Sequence, residues 1–227
     1  MHVNLFLAAV EFIVLLLSLS VHETAHAFTA DMLGDPTARY LGRVTLNPIV
    51  HADLIGTVIF PIVGLLTGGI LFGWAKPVPV NVNKLRNPSR DYMLVAAAGP
   101  ISNILMALGC FGVLMLVKMV SPESAELVRN VAYYSVPEGG NSILTPLALI
   151  AFYGILLNIV LAVFNFIPVA PLDGAAVLSG LLPRSLSSVI DQIQPYGFMI
   201  LLGLLYLGIP AMLYGPVLRV FVQFLRA

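Results

Sequence analysis

The amino-acid sequence predicts an all-α polytopic membrane protein with about four to six membrane helices, a small membrane-associated β element and a re-entrant segment. Hydrophobic residues make up 59% of the chain and charged residues 10%, against roughly 45–50% and about 25% in soluble globular domains. Several apolar stretches are also long enough to cross a bilayer. No repeat, low-complexity tract or flexible linker is visible, so residues 1–227 form one predicted domain.

Charge and cysteine content exclude several other classes of protein. The 11 basic residues balance the 11 acidic residues, so no basic excess supports the binding of nucleic acid. The single Cys110 excludes an internal disulfide framework and a multi-cysteine zinc site. We therefore expect a multi-pass protein of the inner or plasma membrane, with the lipid bilayer as its surroundings.

The first predicted helix runs from about Val3 to Met32, because Gly34 offers a C-terminal cap and Pro36 prevents continuation. About 30 residues at ~1.5 Å each reach ~45 Å, which exceeds the ~30 Å hydrocarbon core, so the helix must tilt or protrude. No Lys or Arg precedes Arg39, and the apolar run is longer than the apolar core of a signal peptide. A retained membrane helix is therefore expected.

Two short segments predict the β element. Thr37–Asn47 contains several β-branched and aromatic residues and lies between two prolines, which favours a strand or short hairpin. Pro77–Val82 begins with alternating proline and valine. Because Pro77 and Pro79 lack amide hydrogens on the same edge, this segment can pair fully on one side only.

Later helices are predicted from their first residues and their apolar runs. An Asn-Pro pair begins a helix predicted over Pro88–Val120, and a Thr-Pro pair begins another over Thr145–Phe166. Two further apolar stretches occupy Pro195–Tyr214 and Val217–Leu225.

The distribution of charge predicts how the chain crosses the membrane. Two segments are basic and a third is acidic, so the positive-inside rule places the first two in the cytosol and the third outside. Leu54–Trp74 must then dip into the membrane and return, which suits its glycines and Pro61. A single ordinary crossing remains the alternative. The basic segments carry Arg39, Arg43, Lys76, Lys84, Arg86 and Arg90, and the acidic one carries Glu123, Glu126 and Glu138.

Candidate chemistry lies near the end of the first helix, where residues 22–26 form an H-E-x-x-H motif. On a helix, His22 and His26 are roughly 40° apart, so both imidazoles face the same way and can bind one zinc ion at ~2.0–2.1 Å. Glu23 flanks that face and can reach a zinc-bound water as a general base. Because each charged group at mid-bilayer costs about 2.5–3.5 kcal/mol, this cluster indicates a function.

A catalytic zinc ion normally has a third protein ligand. Asp173 is the candidate, because Pro168 and Pro171 break the preceding helix and Gly174 lets the backbone approach a partner closely. Irregular backbone at membrane depth is tolerated only where protein or a cavity surrounds it. Asp173 can also cap the helix that follows, and the two roles are compatible.

Three motifs together resemble those of the site-2 proteases, which are zinc-dependent intramembrane proteases that cut transmembrane segments. They are H-E-x-x-H in a membrane helix, Gly-Pro-x-x-Asn at 99–103, and Asn-x-x-Pro-x-x-Pro-Leu-Asp-Gly at 165–174. The resemblance spans about Phe12 to Leu182, with the motifs in the family's order. No stretch is long or polar enough for a PDZ or C-terminal regulatory domain, so the chain resembles a minimal form of the family.

The resemblance implies a role for each motif residue: His22, His26 and Asp173 as Zn²⁺ ligands, Glu23 as the base, Asn165 in substrate binding or oxyanion stabilisation, and Asn103 in substrate binding. It implies regulated intramembrane proteolysis of a single-pass membrane protein or a signal-peptide remnant. With Leu54–Trp74 as a dip, the three motifs reach the same depth near the cytosolic side.

Three other polar residues have two interpretations each. His51 and Asp53 are either metal ligands or their partners, or else part of a polar loop at the interface. Glu11 lies about three turns before His22 on the same side of the helix. It either lines a water path or substrate gate, or lies near the outer interface.

Two other functions remain as alternatives to proteolysis. A metal transporter would also keep histidine and aspartate inside the membrane, although it gives Glu23 no role. A catalytically silent relative that binds membrane helices is the other alternative, against which the complete set of motifs argues.

Overall fold

The computed structural model describes residues 5–67, 73–135 and 143–227, and this part of the chain contains helices and irregular segments without a β-strand. The elements are α1 (Leu5–Met32), α2 (Thr37–Tyr40), α3 (Pro48–His51), a π-helix (Leu54–Ile59) continuing into α4 (Phe60–Thr67), a 3₁₀ turn (Val82–Lys84), α5 (Pro88–Lys118), α6 (Pro122–Ala132), α7 (Leu144–Asn165), α8 (Asp173–Leu181), α9 (Arg184–Ile193), a 3₁₀ turn (Gln194–Tyr196), α10 (Gly197–Tyr206) and α11 (Ile209–Arg226).

Within the described residues, three helices are long and apolar enough to cross a membrane, namely α1, α5 and α7. The segments Gln194–Tyr206 and Ile209–Arg226 form a pair bent by 59°, which raises the number to four if the pair is one span. The described residues thus give three or four spans, against a prediction of about four to six. The shortest of the three, α7, has 22 residues, and at ~1.5 Å per residue it matches the ~30 Å hydrocarbon core.

The core forms where α5 packs against α1 and α7. Buried side chains of α7 recur every three or four residues, which places them on one face of the helix. The other face is also apolar, as expected for a helix in contact with lipid. The buried positions of this stripe are Ala148, Phe152, Ile155, Ile159 and Ala162.

The break between the last two helices lies earlier than predicted. The apolar stretches were expected over Pro195–Tyr214 and Val217–Leu225, but α10 ends at Tyr206 and α11 continues to Arg226. Gly208 adopts a left-handed conformation with φ of 70°, and Pro210 follows in the first turn of α11. A glycine at a helix end followed by a proline at the next helix start is a stronger stop signal than a proline alone.

Polar contacts fix the C-terminal helix to the end of the bundle farthest from the H-E-x-x-H motif. The Lys118 ammonium at the end of α5 donates to the carbonyls of Phe224 and Leu225, at 3.4 and 3.3 Å. The Arg226 guanidinium donates to the Ala132 carbonyl at 3.0 Å and lies over the Tyr133 ring. The C-terminal ends of α5, α6 and α11 therefore meet.

The predicted strand over Thr37–Asn47 is wrong. The segment begins with the single helical turn α2, and Gly42 then reverses the chain with φ of 67°. Buried Arg43 donates to the Val50 carbonyl. These local turns satisfy the backbone without a strand partner, so the β-branched composition did not decide the conformation.

The predicted strand over Pro77–Val82 is also absent: residues 77–81 form no β-ladder, and Val82 begins the 3₁₀ turn. Residues 74–81, here called the strap, donate amide hydrogens to three separate parts of the chain. Lys76 N–H binds the His51 carbonyl at 2.8 Å, Val78 N–H binds Glu23 at 2.9 Å, and Asn81 N–H binds Asp35 at 2.6 Å. Pro77 and Pro79 lack amide hydrogens, and the amides of Lys76, Val78 and Asn81 donate to groups outside a β-ladder.

The two ends of the predicted re-entrant segment lie side by side. Trp74 N–H donates to the Gly56 carbonyl at 3.2 Å, and the Thr57 hydroxyl donates to the Trp74 carbonyl at 2.8 Å. A straight crossing would separate these ends by about 30 Å. The chain therefore runs away from Gly56 through the π-helix and α4, and at Trp74 it is again beside Gly56. Residues 68–72 lie outside the described part of the chain.

Asp35 connects the end of α1 to the strap. Its fully buried carboxylate accepts hydrogen bonds from the Thr37 amide and hydroxyl and from the Asn81 amide. Burial alone would raise the pKa of Asp35, but these hydrogen bonds and the charge of Lys84 outweigh it and lower the pKa.

Replacing Asp35 with Asn should reduce the free energy of unfolding by about 1–3 kcal/mol, because one acceptor becomes a donor facing the Asn81 amide. Thermal unfolding in detergent micelles measures the loss. An Asn83→Ala variant, changed at an exposed side chain of the same loop, should unfold like the unchanged protein.

The lowered pKa of Asp35 also determines how the difference in stability between the unchanged protein and the Asp35→Asn variant depends on pH. Because the folded-state pKa of Asp35 is lowered, its stabilisation is complete above the ordinary aspartate pKa of about 3.9 and disappears as the pH falls through the lower folded value. The difference between the two proteins should therefore be constant near neutral pH and shrink in acid. A difference that grows in acid would contradict this assignment.

Candidate metal centre

Three potential ligand atoms from two distant parts of the sequence converge in the structure. His22 and His26 lie one turn apart on α1, both buried, and their Nε2 atoms are 3.0 Å apart. The Asp173 Oδ2 atom lies 3.2 Å from Nε2 of His22 and 3.4 Å from Nε2 of His26. A carboxylate 147 or more residues away is thereby placed against both imidazoles.

Asp173 reaches the histidines because α8 begins there. The residue before it, Leu172, occupies the cap position, and no side chain caps the helix. A Cβ atom at Gly174 would overlap the Phe166 and Ile167 carbonyls, so only glycine permits this close turn of the chain. The carboxylate thus faces α1, and the alternative role as a helix cap is not the one observed.

The histidines are oriented from behind by α5. His26 Nδ1 lies 2.7 Å from the Val95 carbonyl, and His22 Nδ1 lies 2.6 Å from Oδ1 of Asn103. Both acceptors place the ring hydrogen on Nδ1, which leaves the lone pair of each Nε2 directed at Asp173. Hydrogen bonding of the second ring nitrogen to an acceptor is the usual arrangement for histidines that bind metal.

Close contact between α1 and α5 depends on Gly99. A Cβ atom at this position would overlap the imidazoles of both His26 and His22. The glycine of the Gly-Pro-x-x-Asn motif therefore serves helix packing directly against the candidate site, where any side chain would displace the rings.

The donor set fits a zinc ion. Asp173 Oδ2 is buried without a hydrogen-bond partner in the part of the chain that the structure describes, and the two Nε2 lone pairs point towards it. Such a group of acceptors is stable only around a cation or a proton. The separations of 3.0–3.4 Å also suit tetrahedral ligands, which lie ~3.3 Å apart when each bond is ~2.0–2.1 Å.

Glu23 lies beside the three converging atoms. It is buried, and its carboxylate belongs with His22 and His26 to a cluster whose ligand atoms lie within 4.8 Å of one another. Oε2 accepts the hydrogen bond from Val78 N–H at 2.9 Å. The strap therefore holds the carboxylate in position next to the histidines.

The two asparagines of the motifs occupy different positions. Asn103 is fully buried between α1, α5 and α7, so it contacts His22 and offers no surface to a substrate. Asn165 is half-buried in the last turn of α7, where its amide donates to the Leu161 carbonyl at 2.9 Å. The substrate roles that the resemblance implies for these two asparagines stay predictions.

The secondary candidates have contacts elsewhere. His51 is buried, with Nε2 2.8 Å from the Thr45 carbonyl, and Asp53 caps the π-helix through the amides of Ile55 and Gly56. Glu11 is hydrogen-bonded to Tyr153. His51 and Asp53 support the loop after α1, and Glu11 connects α1 to α7.

Sequence reasoning missed Asn158, which lies fully buried in α7 and is hydrogen-bonded to Asn103 at 2.7 Å. A signal was present, because an amide in a helix of mean hydropathy 2.6 needs a buried partner. The contact between Val78 and Glu23 left no such signal, since a backbone donor carries no residue type.

Comparison with known proteins agrees with this geometry. The sequence profile described as Peptidase family M50 matches residues 10–207. The chain is 35% identical to "Putative zinc metalloprotease YwhC" of Bacillus subtilis (strain 168) over 207 residues, which cover 91% of this chain and 84% of that protein.

A second relative is more distant. "Putative zinc metalloprotease Rip2" of Mycolicibacterium smegmatis is 28% identical over 191 residues, which cover 84% of this chain and 64% of that protein. No solved structure gives a significant match. The profile match and the bacillary relative show that this chain, with its membrane-length helices and its His-Glu-His cluster suited to Zn²⁺, belongs to peptidase family M50, the site-2 protease family of metalloproteases.

Proposed function

We propose that the protein is an intramembrane zinc endopeptidase that hydrolyses peptide bonds within or near the transmembrane segments of other membrane proteins. The observation that carries the proposal is the convergence of His22, His26 and Asp173 beside Glu23, on helices α1 and α8 of an apolar bundle. The substrate is a single-pass membrane protein or a signal-peptide remnant, as in regulated intramembrane proteolysis.

His22, His26 and Asp173 would hold the zinc ion. When bound, zinc would polarise the scissile carbonyl and lower the pKa of water at the site. Because the Val95 carbonyl and the Asn103 amide oxygen accept hydrogen bonds from Nδ1 of His26 and His22, the Nε2 atoms of the two rings are the ones that would bind the ion. Asp173 supplies one negative charge, which partly balances the ion in a site with little access to water.

Glu23 would act as the general base and then as the general acid. Its carboxylate accepts a proton from the attacking water and delivers it to the leaving amine. The Val78 amide binds one carboxylate oxygen and fixes its orientation. The second oxygen remains for the water, and Asn165, near the end of α7, would contact the substrate.

A helical substrate must be unwound locally before cleavage. The carbonyl groups of a transmembrane helix are hydrogen-bonded within the helix, so they are hidden from an attacking group. The buried histidines accept only a segment whose backbone is exposed. This requirement favours substrates with helix-breaking residues near the cleaved bond.

We place the active site near the cytosolic side of the membrane. The H-E-x-x-H motif precedes Arg39 and Arg43, and a second basic group (Lys76, Lys84, Arg86 and Arg90) lies in the strap that contacts Glu23 or shortly after it. The acidic helix α6 lies at the opposite end of α5. The positive-inside rule then orients the bundle with the candidate site towards the cytosol.

The metal assignment predicts about one zinc ion per chain after purification in detergent. Replacing His22, His26 or Asp173 with Ala should lower the zinc content, because each removes one of three ligands. Mass spectrometry of the metal measures occupancy, and Glu11→Gln on the same helix is the matched control. Full retention of zinc by the Asp173→Ala variant would remove that residue from the ligand set.

The base assignment predicts that the Glu23→Gln variant keeps its zinc, while its rate of peptide hydrolysis falls by about 10²–10⁴-fold. Cells producing either protein can be compared for new peptide termini inside the transmembrane segments of their membrane proteins. These termini should occur only with unchanged Glu23. Equal sets of termini would reject proteolysis at this site, and equal metal uptake by both cell types would favour a transporter.

The topology predicts that cysteines placed at Asn47 and Asn83, both exposed, label from the cytosolic side. A cysteine at exposed Glu126 in α6 should label from outside. The background carries Cys110→Ala, and an impermeant thiol reagent distinguishes the sides. Labelling of the Asn47 and Asn83 positions from opposite sides would contradict the re-entrant segment.

A further inference from the structure

A line of buried polar groups runs from α7 through α5 to the first histidine. Asn158, Asn103 and Ser18 are all fully buried inside an otherwise apolar bundle. The Asn158 amide nitrogen donates to the Gly154 carbonyl at 2.8 Å and to the Ser18 hydroxyl at 2.9 Å. Its oxygen accepts from Asn103 at 2.7 Å, and the Asn103 oxygen lies 2.6 Å from His22 Nδ1.

The Gly154 carbonyl, at the end of the line farthest from His22, determines which atom donates and which accepts in each of these hydrogen bonds. The Gly154 carbonyl can only accept, so the Asn158 amide must turn its nitrogen there and its oxygen towards Asn103. Asn103 must then present its nitrogen to Asn158 and its oxygen to His22. The ring hydrogen of His22 is thereby required on Nδ1.

Without Asn158, only the Ser18 carbonyl, 3.4 Å from the Asn103 nitrogen, would restrain the orientation of the Asn103 amide. An amide rotated by 180° exchanges its donor for its acceptor with little change in shape. A flipped Asn103 would present its nitrogen to Nδ1 of His22 and favour a hydrogen on Nε2, where the metal must bind. His26 has no such ambiguity, because its acceptor is the backbone carbonyl of Val95.

We infer that Asn158 is a positioning residue that selects the metal-binding tautomer of His22 by fixing the orientation of the Asn103 amide. The inference rests on the proposed function only in taking Nε2 of His22 as a zinc ligand. The Ser18 carbonyl, 3.4 Å from the Asn103 nitrogen, restrains the amide in the same sense over a longer distance.

The tautomer can be read directly by ¹⁵N NMR of histidine-labelled protein without metal, at alkaline pH where the rings are neutral. The reference protein carries Asp173→Ala and His26→Ala, which remove the two acceptors that would otherwise draw a hydrogen to Nε2 of His22. In it, His22 should carry its hydrogen on Nδ1. Adding Asn158→Leu, of similar size, should give a mixture of His22 tautomers.

A matched control comes from the same network. Ser18→Ala removes one acceptor of Asn158 but leaves the Gly154 carbonyl, so the His22 tautomer should not change. In protein with both His26 and Asp173 intact, Asn158→Leu should weaken zinc binding by about 10–100-fold, measured by competition with a chelator. Ser18→Ala should bind within about threefold of the unchanged protein.

A rescue variant separates positioning from packing. In the Asn158→Leu protein, Asn103→Asp supplies an acceptor that cannot flip, so the hydrogen of His22 should return to Nδ1. If Asn158→Leu does not fold, Asn158→Ala carries the same expectation. A reference protein with the His22 hydrogen on Nε2, or an Asn158 variant with unchanged tautomer and zinc affinity, would overturn the inference.

The readouts distinguish this inference from the proposed function. The tautomer is measured without zinc or substrate, so its dependence on Asn158 would stand even if the protein cleaved nothing. Conversely, cleavage that depends on Glu23, together with an unchanged tautomer in the Asn158 variants, would retain the proteolytic function and reject the role of Asn158.

Discussion

Two hydrogen bonds between α5 and the histidines of α1 determine the arrangement of the rest of the structure. They require that α5 lie in direct contact with α1 along one turn, which Gly99 permits. With the rings fixed from that side, Nε2 of both histidines faces α8, and the carboxylate of Asp173 lies against both Nε2 atoms. The bundle can thus be understood as packing around two oriented imidazoles.

The surrounding loops follow from a second constraint, the need to satisfy backbone groups where water is scarce. Short polar side chains perform this task beside the site. The Asp53 carboxylate accepts hydrogen bonds from the first amides of the π-helix. The Asp35 carboxylate accepts from the amides of Thr37 and Asn81, and the Glu23 carboxylate accepts from the Val78 amide. The strap is therefore held by the carboxylates of Glu23 and Asp35 and by the His51 carbonyl, and not by a β-ladder.

Much of this arrangement could be predicted from the sequence because it depends on local rules. Apolar runs and caps located α1, α5 and α7, helical spacing put His22 and His26 on one face, and the prolines before Asp173 indicated where the chain would turn back. The β element failed because strand propensity depends on a partner that the sequence does not specify. The roles of Asn103 and Asn158 depend on how three helices meet, and no local pattern contains that information.

The contact at Gly99 also limits which sequences this fold can accept. Most helix contacts tolerate an added methyl group because a neighbouring side chain can rotate away. Here the neighbours are two rings, each held from behind by a hydrogen bond to the same helix that carries the glycine. Neither ring can retreat without losing the bond that orients it. Glycine is therefore the one amino acid that fits at position 99, whatever changes elsewhere in the bundle.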